Sequence, residues 1–112
     1  DVNALSFMGI GNYLATEDPT RNKIDNVMVD GVAPTAEEAR SGNYPLARPL
    51  FIYVNTKSAD REDVDGFVTT YLEHVEGVLP RVYFYQLPEQ EYIDAKKRYE
   101  DRETGTDERW HA

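Results

Sequence analysis

DGVAPTAEEARSGNYPLARPLFIYVN, residues Asp30–Asn55, is the stretch on which the fold reading turns. Asp30-Gly31 is a turn signal. Thr35-Ala-Glu-Glu38 matches a capping box, with Thr35 as N-cap and Glu38 reaching back. The helix it starts is short and stops at Ser41-Gly42. In Tyr44-Pro45-Leu46-Ala47-Arg48-Pro49 two prolines fix φ and remove two backbone donors. They bias Tyr44 and Arg48 toward extended backbone. The segment therefore reads as a stiff, extended connector. Leu50–Val54 follows as an unbroken apolar, aromatic and β-branched run. Such a run predicts a strand covered on both faces, as in a parallel or mixed α/β sheet.

Outward from this stretch, Ala4–Ile10 is mostly apolar and ends in Gly9-Ile10-Gly11, which predicts a buried strand stopped by glycine. A short helix over Asn12–Glu17 ends at Asp18-Pro19. Asn26–Val29 reads as a second short strand. The spacing predicts a long helix over Arg61–Leu79. Asp60 is its N-cap, and Glu62, Asp63 and Asp65 complement its first turn. Val64, Phe67, Val68, Tyr71, Leu72, Val75 and Leu79 fall on one stripe. Phe67 in the core would lose about 3–5 kcal/mol on truncation to alanine. Pro80 ends the helix, and Val82–Tyr85 is a short extended piece. A last helix over Glu89–Arg102 puts Tyr92, Ala95 and Tyr99 on one face, and the polar tail from Glu103 frays.

Composition sets outer bounds. The sequence has 112 residues, 40% of them hydrophobic and 29% charged, with eight Tyr, four Phe and one Trp. That is the size of one small domain with enough apolar side chains for a core. Net charge is −9, with 21 acidic against 12 basic residues, which argues against nucleic acid and against an anionic membrane surface as partners. Pro49–Val54, the longest apolar run, is too short to span a bilayer. No charged-then-apolar leader opens the sequence, so any signal peptide is expected to have been removed or to lie outside it. With no cysteine there is no disulfide, thiol nucleophile or thiolate-held metal.

Chemistry is sparse. His74 lies off the apolar stripe and reads as a solvated side chain, and His111 lies in the terminal tail. No nucleophile–base pair or metal-spaced cluster is present, so no catalytic residue, metal or cofactor is expected. Asp60, Glu62, Asp63 and Asp65 lack the calcium-loop pattern and are explained by helix-start electrostatics. Gly9-Ile10-Gly11 is a lone G-x-G without a third glycine, a strand-ending turn rather than a phosphate cradle. The tyrosines Tyr53, Tyr71, Tyr83, Tyr85, Tyr92 and Tyr99 read as packing residues. Arg48, set between two prolines, is the one candidate ligand-binding side chain. A fixed guanidinium suits bidentate recognition of a carboxylate or phosphate, or else a structural salt bridge.

Several segments together resemble the phosphate-binding proteins of the periplasmic, ABC-transporter solute-binding family. Asn3-Ala-Leu-Ser-Phe-Met-Gly9 resembles the family's N-A-L/I-G-F/Y-x-G, with Ser6 where glycine is usual. Val29-Asp-Gly-Val-Ala-Pro-Thr35 resembles I-D-G-V-x-P-[ST]. Ser41–Val54 resembles G-x-Y-P-L-[SA]-R-P-L-[FY]-[IL]-Y-V and is the specific part. Phe67–Leu72 resembles F-[VL]-x-[FW]-Y-L, and Leu87-Pro88 falls where the family has V-P-L-P. Val82–Pro88 departs from V-G-Y-V-P-L-P by a glycine and a proline.

The resemblance implies an α/β chain forming part of a two-lobe, type II periplasmic-binding-protein-like fold, a mixed sheet flanked by helices. Residues 1–45 would end the second lobe and residues 46–112 would return to the first, with Tyr44, Pro45, Leu46, Arg48 and Pro49 as a hinge connector. It implies a C-terminal part of a longer chain, because the family's phosphate ligands lie in upstream motifs that do not occur here. The implied function is non-enzymatic capture of inorganic phosphate and its delivery to an ABC transporter permease, in the periplasm or on the cell surface. An interaction module that kept the fold without the ligand, or a binding protein for another oxyanion, are the alternatives.

Overall fold

A computed structural model describes residues 3–106. The chain divides into two compact units. One is Asp1–Ala47 with Leu79–Gln86, and the other is Arg48–Val78 with Leu87–Ala112.

In the first unit, α1 (Ile10–Ala15) begins after Gly9, whose carbonyl accepts from the Asn12 and Tyr13 N–H groups. α2 (Asp18–Arg21) is one turn with Pro19 in its first turn, where a missing N–H costs nothing. Asp30 and Gly31 both have positive φ, 50° and 80°, and Val29 and Val32 exchange hydrogen bonds across them. Those signs belong to a tight hairpin turn, which glycine and aspartate tolerate. α3 (Ala36–Arg40) starts as the capping box predicts, Thr35 Oγ1 accepting from the Glu38 N–H at 3.2 Å. The reciprocal half of the box is absent: the Glu38 carboxylate instead accepts from the Asn43 side chain at 2.8 Å. Gly42 at φ 77° ends the helix in the left-handed conformation expected just past a C-cap. The 3-10 turn Leu79–Val82 belongs to this unit. Tyr85 donates its hydroxyl to the Pro34 carbonyl at 3.2 Å. Arg40 donates its Nε to the Gln86 carbonyl at 2.9 Å.

In the second unit, α4 (Glu62–Val78) packs against α5 (Glu89–Glu100). Val68 is 4% exposed and Val64, Leu72 and Val75 are half-buried, at a spacing that turns one face of α4 inward. Lys96 of α5 pairs with Glu73 of α4 at 3.1 Å. The predicted stripe was wider than this face. Phe67 is 68% exposed and Tyr71 is exposed beside it, their rings stacked 6.2 Å apart. Phe67 is thus not a core residue. Ala59, 2% exposed, and Val68 are the two buried residues among those described.

The α/β expectation is overturned. Among the described residues there is no strand, only the isolated Val29–Val32 bridge, and with no sheet the two-lobe mixed-sheet architecture falls too. Ala4–Ile10 and Leu50–Val54 pair with no strand among the described residues, Asn26–Val29 has only the bridge across its own turn, and a strand exists only through cross-strand hydrogen bonds. Leu5 and Phe7 are exposed, and the Val82–Tyr85 segment begins within a 3-10 turn and passes through Tyr83 at φ 60°.

Candidate functional site

Arg48 is the residue that the sequence singles out, and it is the first residue of the second unit. Its connector is less extended than two prolines imply. The Ala47 N–H donates to the Tyr44 carbonyl at 3.0 Å, closing a turn with Pro45 at the second position, where its fixed φ fits. Arg48 itself is exposed and makes no hydrogen bond or ion pair with another described residue. The structure thus brings no second polar group to Arg48, and the structural salt bridge weighed for it is not formed among the described residues.

Other arginines do more, Arg61, Arg40 and Arg102 among them. Arg61 forks onto Asp63 through Nε and Nη2, at 3.1 and 2.6 Å, at the exposed start of α4. Arg40 joins α3 to Gln86. Arg102 carries a network in the second unit that sequence spacing could not reveal. Its Nη2 donates to the Asp60 carboxylate at 3.2 Å and to the Ala59 carbonyl at 3.3 Å, and its guanidinium lies 4.8 Å from the centre of the Tyr99 ring. The Tyr99 hydroxyl donates to Asp65 at 3.0 Å. Asp60 therefore binds Arg102 across 42 residues rather than serving as the expected cap, and α4 begins at Glu62, beyond Arg61.

The electrostatics follow from these contacts. Burial, then the hydrogen bond to Asp65, pushes the Tyr99 phenol above its ordinary 10.0. Burial alone raises Tyr85. The hydrogen bond to Asp60 raises Arg102 further and keeps it charged. The network ties the start of α4 to the end of α5. None of its residues lines either of the clefts described next.

The first unit carries two shallow clefts. One of about 200 Å³ is lined by Gly9, Ile10, Gly11 and Tyr83 among others. A Cβ on Gly11 would lie 3.3 Å from the Tyr83 carbonyl oxygen, so this glycine answers to close packing rather than to a phosphate. The other, about 250 Å³, is lined by Leu14, Pro80, Tyr83, Phe84, Tyr85 and Arg40. Among the described residues no group of three or more His, Asp or Glu could hold a metal ion. Nor is any helix there long and apolar enough to cross a membrane. His74 is exposed, with Nδ1 2.8 Å from the Thr70 carbonyl oxygen. His111 lies outside the described residues.

No family model and no solved structure matches the chain. Curated proteins do match it, from Synechococcus, Synechocystis and Staphylococcus among others. Protein SphX of Synechococcus elongatus is 31% identical over 112 residues, 95% of this chain and 32% of that protein. Protein SphX of Synechocystis is 39% identical over 77 residues, 67% of this chain and 23% of that protein. The phosphate-binding protein PstS of Staphylococcus aureus is 26% identical over 110 residues, 94% of this chain and 34% of that protein. The chain is thus a relative of SphX and PstS, as expected of a C-terminal part of a PstS-like protein. It spans about a third or less of the length of these relatives.

Proposed function

We propose that this chain belongs to a solute-binding protein that captures inorganic phosphate and delivers it to an ABC transporter permease, outside the cytoplasmic membrane. The observation that carries the reading is the match to PstS over 94% of the chain. The protein acts by binding and release and is not an enzyme. Phosphate would be held mainly by residues of a longer protein that this chain does not span. In this reading Tyr44, Pro45, Leu46, Arg48 and Pro49 would form a hinge connector, stiffened by its two prolines.

A magnitude supports placing the ligand contacts elsewhere. One exposed ion pair contributes about 0–1 kcal/mol. Micromolar binding needs about 8 kcal/mol. Arg48, exposed in a chain of net charge −9, falls far short of that. Calorimetry on the 112-residue chain is therefore expected to show no phosphate binding in the micromolar range. The same chain, substituted for the matching region of the Synechococcus SphX, is expected to give a protein that binds phosphate in preference to sulfate and molybdate. Equal affinity for all three anions would sink the phosphate reading. Failure to bind any of them would favour an interaction module.

A further inference from the structure

Two Asp-Gly dipeptides occur in the sequence, Asp30-Gly31 and Asp65-Gly66. Such a pair can react with itself. Glycine has no Cβ to shield its backbone nitrogen, so that nitrogen can reach the carboxyl carbon of the aspartate before it. The nitrogen attacks Cγ and an N–C bond forms. The carboxyl hydroxyl leaves with the amide proton as water, and the product is a five-membered succinimide. Water then adds to one of the two ring carbonyls. Addition at Cγ restores aspartate. Addition at the main-chain carbonyl breaks the bond from that carbon to nitrogen and leaves isoaspartate, in which the main chain runs through Cβ and Cγ. Water is released once and taken up once, and no oxidant or reductant enters.

The two dipeptides are alike in sequence and opposite in structure. Asp30 and Gly31 are the exposed central residues of the hairpin turn, at φ 50° and 80°. Among the described residues nothing accepts from the Gly31 N–H, and nothing donates to the Asp30 carboxylate. A Cβ placed on Gly31 would meet no atom within 4 Å, so the space beside the turn is open. The turn is closed by the Val29–Val32 exchange, two hydrogen bonds of 2.9 Å in an isolated bridge. Each such bond is of modest net worth in water. Rotating Asp30 to bring its Cγ onto the Gly31 nitrogen therefore disturbs this one bridge.

Asp65-Gly66 lies near the start of α4. The helical ladder takes the Gly66 N–H. The Asp65 N–H donates to the Arg61 carbonyl at 2.9 Å, and the Asp65 carboxylate accepts from the Tyr99 hydroxyl at 3.0 Å. Cyclisation there requires the start of α4 to unwind and the Tyr99 contact to break, a larger opening than that of a surface turn.

We propose that Asp30-Gly31 is a site of spontaneous isoaspartate formation in the folded chain, and that the fold shields Asp65-Gly66 from the same reaction. The isoaspartyl link adds one methylene to the main chain of the turn. The Val29–Val32 bridge then loses its register, because loop length fixes the geometry of a hairpin turn. The reaction needs no ligand, so it stands apart from the phosphate reading.

The 112-residue chain is aged in heavy-oxygen water at neutral pH and digested, and the two Asp-Gly peptides are compared by mass spectrometry. Each passage through the succinimide places one heavy oxygen in the residue, and fragment masses separate isoaspartate from aspartate. In the folded chain Asp30 is expected to take up label at least tenfold faster than Asp65. In urea the two rates are expected to converge. Asparagine tolerates positive φ but carries a Cβ, so Gly31→Asn is expected to slow labelling at Asp30 several-fold. Equal rates at Asp30 and Asp65 in the folded chain overturn the proposal, as does faster labelling at Asp65. A rate at Asp30 unchanged by Gly31→Asn overturns it too, since the Gly31 nitrogen would not be the nucleophile. A tenfold ratio that persists in urea overturns the shielding assigned to the fold.

Discussion

Two apolar segments of the second unit look equally promising in the sequence and end differently. The Val64–Val75 stripe forms the inner face of α4 and buries Val68. The Leu50–Val54 run is richer in β-branched and aromatic side chains, yet it forms no element and leaves Leu50 and Tyr53 open to water. The difference lies in where the backbone hydrogen bonds go. A helix satisfies its own N–H and C=O groups within four residues. A strand satisfies them only on another strand, and among the described residues none is offered. Side-chain propensity cannot replace that partner.

Proline substitution tests this contrast most severely. Thr70→Pro, in the middle of α4, removes a helical hydrogen bond and is expected to cost about 3 kcal/mol or more. Ile52→Pro interrupts no ladder and is expected to change stability by less than about 1 kcal/mol. Urea unfolding of both variants checks the pair, and similar losses would mean that the run is paired after all. Next in size, Val68→Ala removes two buried methyl groups from the inner face of α4 and should cost about 2 kcal/mol. Phe67→Ala, one residue away but facing solvent, should cost less than about 1 kcal/mol. A Phe67 loss as large as that of Val68 would put the ring in the core that the sequence stripe predicted.

The smallest effect is a pH dependence. Tyr99 and Tyr85 have phenols raised above 10.0 in the folded chain. The folded state therefore holds their protons more tightly than the unfolded state does. Their stabilisation is present in full below about pH 10 and is lost as pH rises through the raised values. Thermal unfolding between pH 9 and pH 11 should show this decline, and Tyr99→Phe should flatten it. An unchanged slope in that variant would remove Tyr99 from the account.

The helices were legible because their signals are local. Thr35 caps α3, Gly42 stops it, and the acidic first turn opens α4. Pro80 follows the end of α4 closely. What was not legible depends on distant partners. The stripe on α4 could not say which half would be buried, so Phe67 and Val68 read alike. Asp60 looks like a cap in sequence because nothing nearby competes for its carboxylate. Arg102, 42 residues on, does compete. The three expected strands failed for the same reason, since propensity marks a segment fit for pairing and not the segment it pairs with. The resemblance to phosphate-binding proteins was carried by Ser41–Val54, and the similarity to PstS and SphX agrees with it. Arg48 inside that block stood out for its flanking prolines; it is exposed and makes no hydrogen bond or ion pair with another described residue.

The open LFIYV segment also governs how the molecule behaves in a crowded tube. Five β-prone, uncharged residues without proline match the signature of a segment that seeds ordered aggregates. Arg48 and Pro49 stand at one end and Lys57 two residues past Asn55 at the other, placed as gatekeepers are. The remaining protection is long-range repulsion between copies of charge −9, which fades beyond about 8 Å at physiological salt. Ionic strength, more than temperature, should therefore set how concentrated this chain can be kept before it turns cloudy.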